Sequence, residues 1–195
     1  MPDPNPMTVA VGAPLGEALS YDAAMPVSWA PLAALPGAVR LEQFNEDNLR
    51  VLAAVALLDE QRSISTAADE SSPIDAEIAR LNQKLNLVID LLGFLVNQNA
   101  PVAEARRVRL SWQGLVFSGE QPLGEIGLVS LRLNRSVPQP LVWPARIVHV
   151  DGDERHARFE AFGDALQTAV ERHVFLRHRR AIAGRLPVRG RTTAN

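Results

Sequence analysis

The sequence predicts an α+β protein: a small antiparallel β-unit closed by a carboxy-terminal helix, with a pair of helices ahead of it. Three observations carry that reading. Seven apolar residues between Ile74 and Leu95 recur at spacings of 4, 3, 4, 3, 4 and 3. Alternation of apolar and polar residues takes over after Pro101, and a helical pattern led by Asp164 follows the last alternating stretch. With 195 residues, of which 47% are hydrophobic, the chain has room for one ordinary domain and an appendage, and global disorder is excluded.

Residues 1–40 are rich in proline and alanine and are expected to be extended. One strand is expected near Met25–Ala30; Pro26 and Pro31 bracket it and make it an edge strand, because a proline cannot donate to a ladder. Residues 41–100 form the helical pair. The first helix runs from about Leu41 to Arg62, and the polar run 63–72 joins it to the second. Ser72 is a natural N-cap, Pro73 suits the first helical position, and Asp75 and Glu77 favour the positive end of the dipole. Asn97-Gln98-Asn99 and then Pro101 end that helix.

Residues 101–183 hold the β-unit. Val108–Ser118, Ile126–Leu133, Leu141–Val150 and Arg155–Phe162 read as strands, with Asp151-Gly152-Asp153 as a hairpin turn. Asp164 caps a final helix over about Ala165–Ala183. Residues 184–195 are a basic tail.

The second helix carries the plainest functional signal. Its a positions are Ile78, Leu85 and Leu92, and its d positions are Ile74, Leu81, Val88 and Leu95. A strict 3.5-residue repeat marks a supercoiled seam between helices. Residues 73–99 would span ~40 Å as a helix at ~1.5 Å per residue, whereas a domain of about 100 residues has a radius of gyration of only ~13 Å. The helix therefore overhangs its own β-unit. Ile89 and Val96 at e and Leu91 at g broaden the apolar face in the second half, which calls for more than one neighbouring helix. The preceding helix, Leu41–Arg62, could supply some of those neighbours from the same chain, so the two long helices are expected to form an oligomeric helical bundle, a homo-tetramer with a dimer as the runner-up.

Several classes of chemistry lack support. There is no cysteine, so disulfides and thiolate catalysis are excluded. His149, His156, His173 and His178 show no HxxxH or HExxH spacing, so no metal is expected. No GxSxG, GxGxxG or P-loop is present. The protein is therefore expected not to be an enzyme. The apolar stretch near the amino terminus lacks a basic region ahead of it, and no apolar run is long enough to cross a bilayer, so a cytoplasmic protein is expected. Charge is split: residues 1–99 hold 13 acidic and 5 basic side chains, residues 100–195 hold 9 and 15. The Arg-rich tail lacks interleaved aromatics, so nucleic-acid binding stays an alternative and is not favoured.

The segment Leu110-Ser111-Trp112-Gln113-Gly114-Leu115-Val116-Phe117 resembles the (D/N)xSxxG signature of PilZ domains, bacterial receptors for cyclic di-GMP. Leu123-Gly124-Glu125-Ile126 ahead of one strand, Arg146-Ile147-Val148 at the end of the next, Ala157-Arg158-Phe159-Glu160 and a closing helix follow in matching order. The resemblance covers about residues 105–180, with the strand near Pro26–Trp29 in addition. It implies a PilZ-like β-barrel and a place in cyclic di-GMP, pilus or motility regulation. It also implies how the family holds its ligand, with an RxxxR arm and the Asp/Asn and Ser of the motif. This chain departs from both: Arg109 stands where the Asp or Asn belongs, and residues 1–39 contain no arginine or lysine. Arg109, Ser111 and Gly114 thus read as a degenerate motif remnant. Arg106 and Arg107 beside it are candidates for anion contacts from another direction.

The expected function is a non-catalytic PilZ-type signalling module. It assembles as a tetramer and acts on an unidentified signalling protein, without cyclic di-GMP bound in the usual way. A genuine cyclic di-GMP receptor with a rearranged site is the alternative, and an Arg-rich nucleic-acid scaffold is the third.

Overall fold

The computed structural model describes residues 15–16, 18–65, 73–97, 103–134 and 136–183. The expectations for the first 14 residues, the centre of the interhelical linker, the Asn-Pro stop after residue 97 and the basic tail lie outside them. Chain order is β1 (Ser20–Pro31), α1 (Ala38–Ser65), α2 (Pro73–Asn97), β2 (Ala105–Ser111), β3 (Gly114–Ser118), β4 (Ile126–Leu131), β5 (Leu141–Asp151), β6 (Glu154–Phe159) and α3 (Asp164–Ala183). The six strands close into an antiparallel barrel in the order β1-β2-β3-β6-β5-β4.

Closure corrects the reading of the first strand as an edge. β1 runs twelve residues and has a neighbour on each side: Ser20–Pro26 pair with β2, and Val27–Pro31 pair with β4. Pro26 sits where the strand leaves β2 for β4, and Pro31 is its last residue, so neither proline interrupts a continuous ladder. The single strand expected over Val108–Ser118 is two strands, β2 and β3, folded back at Trp112-Gln113. That turn lacks the Asn-Gly or Asp-Gly pair by which a hairpin announces itself in a sequence. The last strand stops at Phe159, short of the expected Phe162, because Ala161 takes φ 56° and breaks the extended backbone.

The barrel interior is filled by alternate strand residues, among them Val108, Leu110, Leu115, Val129, Leu131, Leu141, Trp143, Ile147 and Ala157. Leu166, Val170 and Val174, one face of α3, cap one end. Val51, Leu52 and Val55 of α1 join the same core. Asn48 fixes that helix to β5: its Nδ2 donates to the Val142 carbonyl at 2.9 Å, and the Val142 N–H donates to its Oδ1 at 2.8 Å. Asp59, near the end of α1, lies 3.3 Å from Arg177 and 3.0 Å from Arg180 of α3. The amino-terminal strand, α1 and α3 are thereby one packed unit with the barrel.

α2 differs. All seven of its a and d residues, Ile74, Ile78, Leu81, Leu85, Val88, Leu92 and Leu95, are more than half exposed. In length and position the helix matches the sequence expectation, and its apolar face is left uncovered by the described residues of its own chain.

Candidate functional site: the motif face of the barrel and the bare helix

On β2, Val108 and Leu110 point into the barrel, so Arg107, Arg109 and Ser111 stand on its outer face. Register then builds two rows across the sheet. One runs Asp22, Arg109, Val116, His156; the other runs Ser20, Ser111, Gly114, Arg158. A cavity of about 270 Å³ opens on these rows. The chain just before β1 walls one side with Leu15, Gly16 and Ala18, and Arg109, Ser111, Val116 and His156 form the other.

The motif residues are already engaged within the fold. Ser111 is buried; its Oγ donates to the Gly114 carbonyl at 3.0 Å and accepts from the Gly114 N–H at 3.2 Å. That hydroxyl closes the β2–β3 turn, and its one proton is committed to the Gly114 carbonyl. Gly114 is required by close approach: a Cβ there would drive into the Ala157 carbonyl oxygen and sit 3.0 Å from Arg158 Cα. Arg109 Nε lies 3.5 Å from Asp22 Oδ1, and Arg107 Nε lies 3.7 Å from the same oxygen. The carboxylate thus partly neutralises the pair of arginines, an effect that is weak for side chains this exposed.

Arg106 does not join them. It reaches the far end of the strand, donates to the Ser118 carbonyl at 3.2 Å, and lines a separate open cleft with Gly119, Glu120, Gln121 and Asp153. The three arginines that the sequence places together therefore face two different surfaces.

His156 is a site residue that the sequence does not disclose. Its ring meets His149 edge to face at 5.0 Å, across an irregularity of the β5–β6 ladder between Ile147 and His149. Burial lowers its pKa, and the His149 and Arg109 charges push it the same way. At neutral pH the cavity thus contains one arginine held by a carboxylate and a neutral imidazole. No spacing in the sequence carries this, since it depends on the register of β3, β5 and β6.

A closed six-stranded barrel with a turn-closing serine and glycine at its motif and a helix over one end defines a PilZ-type domain. Residues 49–186 match the family model for the atypical PilZ domain, described as a cyclic di-GMP receptor, and the chain belongs to that family. β1 lies ahead of the matched region, although it closes the barrel. Among solved structures the chain is similar to a pathogenic protein from Xanthomonas campestris, with 26% identity and a TM-score of 0.63. The match covers 87% of this chain and 93% of that one. That protein is a tetrameric PilZ domain self-assembled via a helical bundle. No curated protein sequence matches the chain.

Proposed function

We propose that this chain is a non-catalytic regulatory PilZ module that self-assembles into a tetramer through α2 and acts by protein–protein contact. The output would lie in cyclic di-GMP, pilus or motility regulation, and the partner would be a signalling protein. A cytoplasmic location belongs to the same reading; no helix among the described residues is long and apolar enough to cross a membrane.

The observation that carries it is the engagement of the motif within the barrel. The Ser111 hydroxyl spends its one donor and one of its acceptor sites on Gly114, and the position of the usual acceptor is filled by Arg109, a donor paired with Asp22. Assembly is supported by the bare heptad face of α2 and by the tetrameric helical bundle of the Xanthomonas protein.

The second reading, a cyclic di-GMP receptor with a rearranged site, is favoured by the family description and by the cavity that Arg109 and His156 share. Calorimetric titration of the whole protein with cyclic di-GMP separates the two. The proposed function expects no saturable heat at micromolar ligand. A saturable heat that Arg109→Ala abolishes would establish the receptor reading in its place.

A further inference from the structure

We infer that His149 and His156 form a two-nitrogen site for a divalent first-row transition-metal ion on the outer face of the barrel. Such a site is independent of the proposed function, and the spacing of the histidines along the chain conceals it.

The β5–β6 hairpin folds the two histidines together, and a slip in its register decides how they meet. Ile147 pairs with Ala157, so an unbroken ladder would set His149 against Arg155. Strict alternation from the buried Ile147 would also send the His149 ring into the barrel. The ladder slips by one residue at Val148 instead. Ile147 and Val148 are both fully buried, and His149 emerges opposite His156. A bulge of this kind re-aims the side chains beyond it, and bulges gather beside functional sites.

The pair has the dimensions of a chelate. Imidazole nitrogens bind such ions at about 2.0–2.1 Å, so two rings on one tetrahedral ion have their centres roughly 5 Å apart. The two ring centres here are 5.0 Å apart, with the planes at 87°. His156 Nδ1 is enclosed and has no hydrogen-bond partner among the described residues. A buried polar atom in that condition calls for an ion, a ligand or a water, and a ring contact alone does not supply one. Burial keeps the His156 imidazole neutral at pH 7, the form that ligates a metal. Both side chains are partly exposed, so an ion reaches them from solvent.

The surrounding charges favour a cation. Asp151 and Glu154 are the next outward pair along the same ladder and share the face of the histidines. Both are exposed, and both act on the His156 ring in the sense that favours positive charge. Arg109, two strands away across Val116, acts against them and is itself paired with Asp22. No three ligating side chains converge among the described residues, so water completes the coordination and the affinity should be micromolar. Imidazole selects Zn²⁺, Ni²⁺ or Cu²⁺ over Mg²⁺ and Ca²⁺, which take oxygen ligands.

Calorimetric titration of the full chain with Zn²⁺, and electron paramagnetic resonance of the wild type with Cu²⁺, test the site. One Zn²⁺ per chain should bind with micromolar affinity, and Mg²⁺ should give no saturable heat. His149→Gln and His156→Gln should each abolish the Zn²⁺ heat, while His178→Gln should keep it; circular dichroism checks that the variants fold. The Cu²⁺ spectrum should show coupling to two nitrogens, a readout that needs no variant. Absence of saturable Zn²⁺ binding, wild-type affinity in either the His149 or the His156 variant, or a Cu²⁺ signal with fewer than two nitrogens would overturn the site.

Discussion

Replacing Gly114 with alanine should destabilise the barrel far more than a single methyl group normally does. The added Cβ would meet backbone on β6: the Ala157 carbonyl oxygen, and Arg158 Cα at 3.0 Å. Backbone cannot rotate out of the way, so β3 must lift from β6 where Gly114 pairs with Arg158. Overpacking of this kind costs roughly 1–3 kcal/mol, and each ladder hydrogen bond lost adds about 1 kcal/mol. The sum, about 3–5 kcal/mol, is a large share of the ~5–15 kcal/mol that holds a domain together. At roughly 2–4 °C per kcal/mol for a chain of this size, the melting temperature should fall by about 10 °C. Ser111→Ala, which strips both hydrogen bonds from Gly114, should cost about 1–2 kcal/mol. Arg109→Ala, on a half-exposed side chain, should stay within about 0.5 kcal/mol. Thermal and urea unfolding of the three variants measures all of this. A Gly114→Ala protein melting within about 2 °C of wild type would refute the architectural role argued for the motif.

Other expectations follow from the packing around β1 and α3. Tyr21 Oη and His173 Nε2 share a buried hydrogen bond of 3.0 Å, and burial holds the His173 pKa down at about 4. A depressed histidine contributes its full stability above the unfolded value of ~6.5 and loses it as pH falls toward 4. That loss amounts to about 3 kcal/mol. Urea midpoints from pH 7 to 4 should therefore decline, His156 adding in the same direction, and His173→Gln should flatten the slope; an equal slope in the variant would refute the assignment. Asp59→Asn should cost about 1–3 kcal/mol by unpairing Arg177 and Arg180, the more exposed Arg180 contributing less. Chemical denaturation checks it, and an unchanged midpoint would show that α1 and α3 are held by apolar contacts alone.

Periodicity makes the helices legible. The 3.5-residue repeat of α2, the Ser-Pro start and the Asn-Pro stop are local signals, and the bounds they predict lie within a few residues of Pro73–Asn97. The β-unit is legible as alternation and its order as a resemblance, but two of its features are hidden. β1 looks like an edge because proline content is a local property, while its two neighbours, β2 and β4, begin more than 70 residues later. The turn at Trp112-Gln113 is hidden because apolar and polar residues go on alternating through Leu110-Ser111-Trp112-Gln113, and the Ser111 hydroxyl bonding back to Gly114 marks the reversal. At the site, the motif locates Arg109, Ser111 and Gly114. It does not show that Asp22 faces Arg109, that Arg106 turns to another surface, or that His156 enters the cavity. Those follow from register.

The most direct test of the account is the mass of the wild-type protein in solution, measured by multi-angle light scattering at micromolar concentration beside the Leu85→Asp/Leu92→Asp variant. The wild type should scatter as four 21.3 kDa chains and the folded variant as one. A wild type that scatters as a single chain, or a variant that keeps the wild-type mass, would contradict it.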